Sequence, residues 1–258
     1  MKNTISFLLV LLLGCNNSNK NVNGNSLTDS SGDKTTTKGP TSGTGCGALI
    51  LFHQGAIIEG TSYDAAGKVT AKQTTTVTDV KDEAGVLIAH CSAVMEGAGA
   101  GKNMEMIYKC DGSNLYMDMT ALMQNFSSLK NIKGEIKPIE FPINISEGQT
   151  LPDASYTITM DKGPTKMDIT TTYKNRTVGP KEKITTTGGS WDCFKVHCDI
   201  ASDIKGLDET TAKVMEAVKN STKMEMAMWF SPGFGIVKTE TYRAGKLSSR
   251  SEITSIKD

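Results

Sequence analysis

The chain has 258 residues, and its 28 Lys and Arg residues balance 28 Asp and Glu residues. With no dense run of basic residues interleaved with aromatics, this balance argues against a nucleic-acid partner. The length suits one all-β domain, or two smaller ones, behind an N-terminal leader and linker.

The N-terminus predicts export and lipid attachment. Lys2 precedes the apolar run "ISFLLVLLLGC", which is shorter than the roughly 20 residues of a transmembrane helix. Its end, Leu12 to Cys15, resembles a bacterial lipobox. We therefore expect a signal peptide over residues 1–14 and a diacylglycerol and acyl chain on Cys15; the alternative is an ordinary secretory peptide. An aspartate, common in lipoproteins kept at the inner membrane, is missing after Cys15, which favours the outer membrane and leaves the leaflet open.

A polar segment follows the anchor, and residues 15–47 are predicted to be the lipidated cysteine and a flexible tether. Val22 and Leu27 are its only large aliphatic residues before position 46, so it lacks the side chains for a core. As a coil of about 30 residues it would span roughly 30 Å. The remaining residues, 48–258, are predicted to form a single β domain.

Alternating Thr, Val and Ile residues separated by glycine turns predict strands through most of the domain. The strand-like segments are residues 59–63, 69–80, 84–95, 104–110, 114–119, 154–161, 166–178, 182–188, 191–201, 222–230, 235–242 and 246–256. Two segments, 118–131 and 207–220, have helical periodicity. The fold class is therefore mainly β: a strongly bent antiparallel sheet or open half-barrel, built from two β-meanders with one or two short helices.

Two methionine-rich segments, "MEMIYKCDG" at 104–112 and "MEMAMWFSPG" at 224–233, echo each other. Strand parity places their alternate methionines on one face, because successive side chains point to opposite sides. That face could be packed core, or it could line a site for an apolar ligand, since flexible thioethers suit such partners. The candidate lining residues are Met104, Met106, Met224, Met226, Met228 and Trp229.

Copper is an alternative for the same methionines, because His90–Cys91 and His197–Cys198 could add soft ligands. Adjacent residues of a regular strand face opposite ways, so each pair supplies at most one inward ligand. We therefore predict no metal site, and no cofactor beyond the lipid on Cys15.

The cysteines other than Cys15 number five, so at least one thiol stays free or pairs between chains. Cys91 and Cys110 flank a predicted hairpin turn and are the candidate disulfide. Cys193 and Cys198 are five apart on a predicted strand, which places them on opposite faces.

Sequence signals for catalysis are few. There is no Gly-x-Ser-x-Gly or His-Glu-x-x-His motif, and "EGAGAGKN" departs from a phosphate loop at both ends. Only three histidines are available as bases. We predict a protein that is not an enzyme, with a hydrolase built on scattered carboxylates as the remote alternative.

Several segments occur in an order that resembles the TapB-like lipoproteins of Bacteroidota, among them "YKCDGSNLYMDMTALM", "GGSWDCFKVHCDI" and "MWFSPGFGIVKTETYRAGKL". The resemblance covers roughly residues 48–257 and implies a mainly antiparallel β domain, with no catalytic residues to carry over. In shape alone the expected domain is similar to the half-barrel carriers LolA and LolB.

Together these features predict a lipid-anchored envelope protein that binds or carries an apolar ligand, or supports envelope assembly. Its expected partners are the membrane, through the anchor, and a hydrophobic ligand or an envelope protein. The alternative is a structural or adhesive surface module with a filled core.

Overall fold

Strands dominate the computed structural model, which describes residues 45–97, 103–118, 139–162, 165–207 and 223–258. The strands are β1 (Ile57–Asp64), β2 (Val69–Glu83), β3 (Val86–Gly97), β4 (Asn103–Cys110), β5 (Asn114–Asp118), β6 (Ile139–Pro142), β7 (Ala154–Lys162), β8 (Thr165–Thr186), β9 (Gly189–Lys205), β10 (Met224–Ser231), β11 (Gly235–Arg243) and β12 (Lys246–Lys257). Two short 3-10 helices, Cys46–Ala48 and Ile50–Phe52, precede them.

The strands form one antiparallel sheet in the order β6-β5-β4-β3-β2-β1-β12-β11-β10-β9-β8-β7. Strands β1 to β6 make one meander and β7 to β12 make the second. Pairing of β1 with β12 joins the meanders in the middle of the sheet. The sheet bends until it is nearly closed and barrel-like, which confirms the predicted fold class.

The apolar core lies inside this curved sheet, between the inward-facing side chains of the two meanders. Phe141 of β6 contacts Phe230 of β10 at a ring-centroid distance of 4.5 Å, and Trp191 contacts Phe234 at 5.2 Å. The first pair joins strands that are distant in the sheet order, and the second joins β9 to the neighbouring β10–β11 turn.

Strand β8 is a single strand of 22 residues, where the sequence predicts two strands separated by Gly179 and Pro180. Its register against β9 shifts twice, between Lys174 and Thr177 and between Val178 and Lys181. The glycine and proline therefore mark an irregularity inside the ladder and not its end, as bulges allow.

Residues 45–56, which precede β1, are linked to the sheet by a disulfide between Cys46 and Cys110. The prediction of a Cys91–Cys110 bridge is therefore wrong. The β3–β4 ladder pairs Cys91 with Met106 and Cys110 with Leu87, so the two cysteines lie four residues apart, about 13 Å along the strands. The register of the described ladder is symmetric about a point two residues earlier than the midpoint of those cysteines.

The disulfide also shows that the folded domain includes Cys46, which the sequence assigns to the tether. Leu49 and Ile50 are buried, and the amide of Ile50 donates to the carbonyl of Phe234 at 3.3 Å. Residues 45–56 therefore pack against the interior of the sheet as part of the domain.

Several predicted features fall outside the described residues: the signal peptide, Cys15, most of the tether, and nearly all of the two predicted helices. Among the helices that are described, none has the length and hydropathy needed to cross a membrane.

Candidate ligand cavity

An interior cavity of about 260 Å³ lies between the two meanders. Its walls combine side chains from the second 3-10 helix and from strands of both meanders. Most of the lining is apolar, including Ile50, Leu115, Met117, Phe141, Phe234 and Ile236. Apolar pockets with a few polar groups are typical of small-molecule sites.

The methionines of the two similar segments reach this cavity from opposite walls. Strands β4 and β10 stand six positions apart in a nearly closed sheet of 12 strands, so they face each other across the interior. Met106 lines the cavity from β4, and Met226 and Met228 line it from β10. Alternation of side chains along each strand directs these thioethers inward.

The other predicted methionines are placed differently. Met104 is buried in the core and does not line the cavity. Met224 is partly buried, packs against the core and lies opposite Ile200 at the far end of the β9–β10 ladder.

Trp229 lies on the other face of β10, which corrects its prediction as a lining residue. Its indole N–H donates to a carboxylate oxygen of Glu182. The ammonium groups of Lys195 and Lys238 lie 5.0 Å and 4.5 Å from the ring centroid. Parity explains the placement, because Trp229 follows Met228 directly in the strand. These neighbours bury the ring on the outer side of the sheet.

The His-Cys pairs also divide between the two faces. His90 contacts Glu105 through its Nδ1 atom at 3.2 Å, whereas Cys91 is buried. Cys198 lines the cavity and its neighbour His197 is only half-buried. In the described part of the chain, no group of three or more His, Cys, Asp or Glu side chains could hold a metal ion.

A buried arginine that the sequence interpretation missed also lines the cavity. Arg176 is 2% exposed, although its chain neighbours Lys174 and Asn175 are exposed. Asn175 has a φ of 52° at the first register shift of β8. Because the bulge inserts residues into one strand, Tyr173 and Arg176 both point inward although they are three residues apart.

Arg176 also connects the two edges of the sheet. Its guanidinium donates from Nη1 to the carbonyl of Pro152, just before β7, at 2.7 Å, and from Nη2 to the carbonyl of Glu140 in β6 at 2.9 Å. The guanidinium carbon lies 5.8 Å from the centroid of the Phe141 ring. The side chain thus bridges the seam where the sheet comes closest to closing.

Burial sets the protonation of the groups near this arginine. It raises the pKa of Tyr173 well above its usual value, so this phenol stays neutral. Burial also lowers the pKa of Arg176. A guanidinium titrates so far above neutrality that Arg176 remains charged at physiological pH.

A second polar group lies on the walls formed by β2, β11 and β12. Gln73, Thr75, Thr239 and Ser251 all line the cavity. The amide of Gln73 donates to the hydroxyl of Thr75 at 3.0 Å. These side chains are uncharged, so the charged side chains of the described lining are the guanidinium of Arg176 and the carboxylate of Asp118 in β5.

Comparisons with known proteins agree with this architecture. The model of the DUF3108-like family matches residues 53–253, and the chain belongs to that family. The narrower resemblance to TapB-like lipoproteins, and the similarity to LolA and LolB, stay predictions. The comparison with curated proteins found no match.

Two solved structures share the fold. A candidate exported protein with a YmcC-like fold from Bacteroides fragilis NCTC 9343 is 19% identical, with a TM-score of 0.59, covering 81% of this chain and 99% of that one. A candidate lipoprotein from Parabacteroides distasonis ATCC 8503 is 18% identical, with a TM-score of 0.60, covering 84% of this chain and 100% of that one. At these identities the likeness concerns the fold.

Proposed function

We propose that this member of the DUF3108-like family is a lipid-anchored, non-catalytic protein of the bacterial envelope that binds an apolar ligand in its interior cavity. The observation that carries the proposal is the apolar cavity lined by Met106, Met226 and Met228 from facing strands. Flexible methionine side chains adapt to ligands of varied shape.

The N-terminal sequence supports the location. A leader that ends at Cys15 would attach the chain to a membrane, with the outer membrane favoured. The polar tether would then hold the domain within roughly 30 Å of the lipid surface. The names of the two structural relatives, a candidate exported protein and a candidate lipoprotein, are in keeping with this location.

The volume of the cavity limits the size of ligand that it can hold. About 260 Å³ lies just below the roughly 300–1,000 Å³ typical of pockets for drug-sized ligands. A single apolar chain suits this space better than a lipid with several chains. Carriage of a whole acylated lipoprotein, as a half-barrel carrier would perform, fits the cavity less well.

Binding of an uncharged apolar probe tests the proposal. The whole chain that follows the leader, with Cys15→Ser, would be titrated with N-phenyl-1-naphthylamine and followed by fluorescence. We expect saturable binding that Met228→Trp weakens at least about tenfold, because the larger ring fills the cavity.

Val94→Trp is the matched control, since Val94 is 41% exposed and adds the same ring at the surface. Met106→Phe replaces Met228→Trp if that variant does not fold. Absence of saturable binding to the folded parent would contradict the proposal and favour a structural or adhesive module.

A further inference from the structure

Arg176 is unusual for a residue that lines an apolar cavity. A buried charge is strongly destabilising unless it is paired and hydrogen-bonded. Its two hydrogen bonds in the described structure go to neutral backbone carbonyl oxygens. No carboxylate of the described residues forms a salt bridge with it. The acids that influence it electrostatically, Glu140 and Asp153, are both exposed.

Among the described residues, its guanidinium also has N–H groups without a hydrogen-bond acceptor. Arginine carries five N–H groups, and the bonds to Pro152 and Glu140 use two of them. Guanidinium groups bind carboxylate and phosphate oxygens through paired, charge-assisted hydrogen bonds. The position of Arg176 at the cavity wall would allow an anionic group inside the cavity to reach it.

We propose that the ligand is an anionic amphiphile with a single chain, whose carboxylate or phosphate head binds Arg176 while its chain lies against the methionines. The assignment rests on the proposed function and names its ligand class. The apolar wall of Met106, Met226 and Met228 serves the chain, and the buried guanidinium serves the head.

A purely structural role for Arg176, bridging β6 and the segment before β7, is the competing explanation. The two roles predict different selectivity. If Arg176 only bridges the two edges of the sheet, its loss weakens binding of all ligands alike, because the shape or stability of the cavity changes. A head-group contact affects anionic ligands alone. The ratio of affinities for charged and uncharged ligands therefore separates them.

The test measures how ligands with the same 14-carbon chain displace N-phenyl-1-naphthylamine from the chain described above. Myristate, 1-tetradecanol, tetradecyltrimethylammonium and 1-myristoyl lysophosphatidic acid are the ligands. We expect at least one anion to displace the probe at a concentration about tenfold or more below that of the alcohol, with the cation weakest. The two anions distinguish a fatty acid from a lysophospholipid as the source of the head group.

Substitutions at position 176 complete the test. Arg176→Met should remove the preference for the anion over the alcohol, and Arg176→Lys should keep part of it. Lys174→Met removes the same charge from an exposed position of β8 and should leave the preference unchanged.

Equal displacement by anions and alcohol in the parent would overturn this assignment, even if Arg176→Met does not fold. An unchanged preference in a folded Arg176→Met protein would overturn it as well. In both cases binding of the uncharged probe would leave the proposed function intact. Failure of the parent to bind any probe would instead reject the proposed function.

Discussion

Three cysteines are buried in the strands as free thiols. Cys91, Cys193 and Cys198 are free and buried. Along β9 the buried positions change parity between Cys193 and Val196. Cys193 and Cys198 are therefore both buried, whereas regular alternation places only one of them inside. They remain unpaired, and each sits among apolar side chains of the core.

Burial raises the pKa of all three thiols to about 12. Only about one in ten thousand would be thiolate at pH 8, so the native thiols should not react with 5,5′-dithiobis(2-nitrobenzoate) there. Because the pKa is higher in the folded state, folding favours the neutral thiol. Its contribution to stability is complete below the unfolded pKa of about 8.5 and is lost as the pH rises towards 12.

In the chain that follows the leader, with Cys15→Ser, we expect no native thiol to react at pH 8 and three to react in guanidinium chloride. Rapid labelling of the native protein at pH 8 would show that the thiols are accessible. Cys91→Ala, Cys193→Ala and Cys198→Ala should each remove one thiol from the denatured count, which assigns the signal.

At the scale of the element, β8 has two structural roles: it pairs with its neighbouring strands, and it places Arg176 in the interior. Its regular parts pair with β7 and β9 over most of its length. Its bulge interrupts that ladder and directs Arg176 into the interior. The backbone there is held by a hydrogen bond from the amide of Leu151 to the carbonyl of Arg176 at 2.8 Å.

The left-handed conformation of Asn175 should be sensitive to side-chain shape. Asn175→Gly and Asn175→Val both lose the 2.7 Å hydrogen bond to Asp199, so comparing the two isolates the backbone effect. At a φ of 52° valine is strained and glycine is not. We expect the valine variant to be about 1–2 kcal/mol less stable than the glycine variant in urea unfolding.

Equal stability of those two variants would mean that position 175 does not hold the left-handed conformation in solution. Lys174→Gly and Lys174→Val provide the control on the same strand. There the order should reverse, because valine favours extended backbone and glycine does not.

At the scale of the whole molecule, residues 45–56 pack into the interior, and the Cys46–Cys110 disulfide holds them there. Ile50 and Leu51 of this segment line the cavity. The bridge closes a loop with a sequence separation of 64 residues between Cys46 and Cys110. It therefore links the start of the domain to β4, one of the strands whose methionines line the cavity.

Loss of this bridge should lower the free energy of unfolding by about 4 kcal/mol, the loop-closure entropy for a loop of this size. The test compares urea unfolding of the parent with that of the Cys46→Ala, Cys110→Ala double variant. Reduction with dithiothreitol should destabilise the parent and leave the double variant unchanged. Cys91→Ala is the control, since it should not alter sensitivity to the reductant.

Local pattern alone was enough to predict the two meanders. Alternation with period two and glycine turns act over a few residues, so a single sequence contains that information. The pairing of Cys46 with Cys110 was not predictable in this way, because it depends on contacts 64 residues apart. Trp229 was assigned to the wrong face, although its parity already separated it from Met228.

The amino-acid sequence by itself determined the strand content and the division into two meanders, because these follow from side-chain spacing and local composition. Only the tertiary structure decided that β4 and β10 face each other and that a cavity remains between them. It alone placed Arg176 inside, since a bulge changes strand parity without a distinctive residue to mark it. Closure of the sheet then brings distant strands together, and with them the apolar wall and the buried charge.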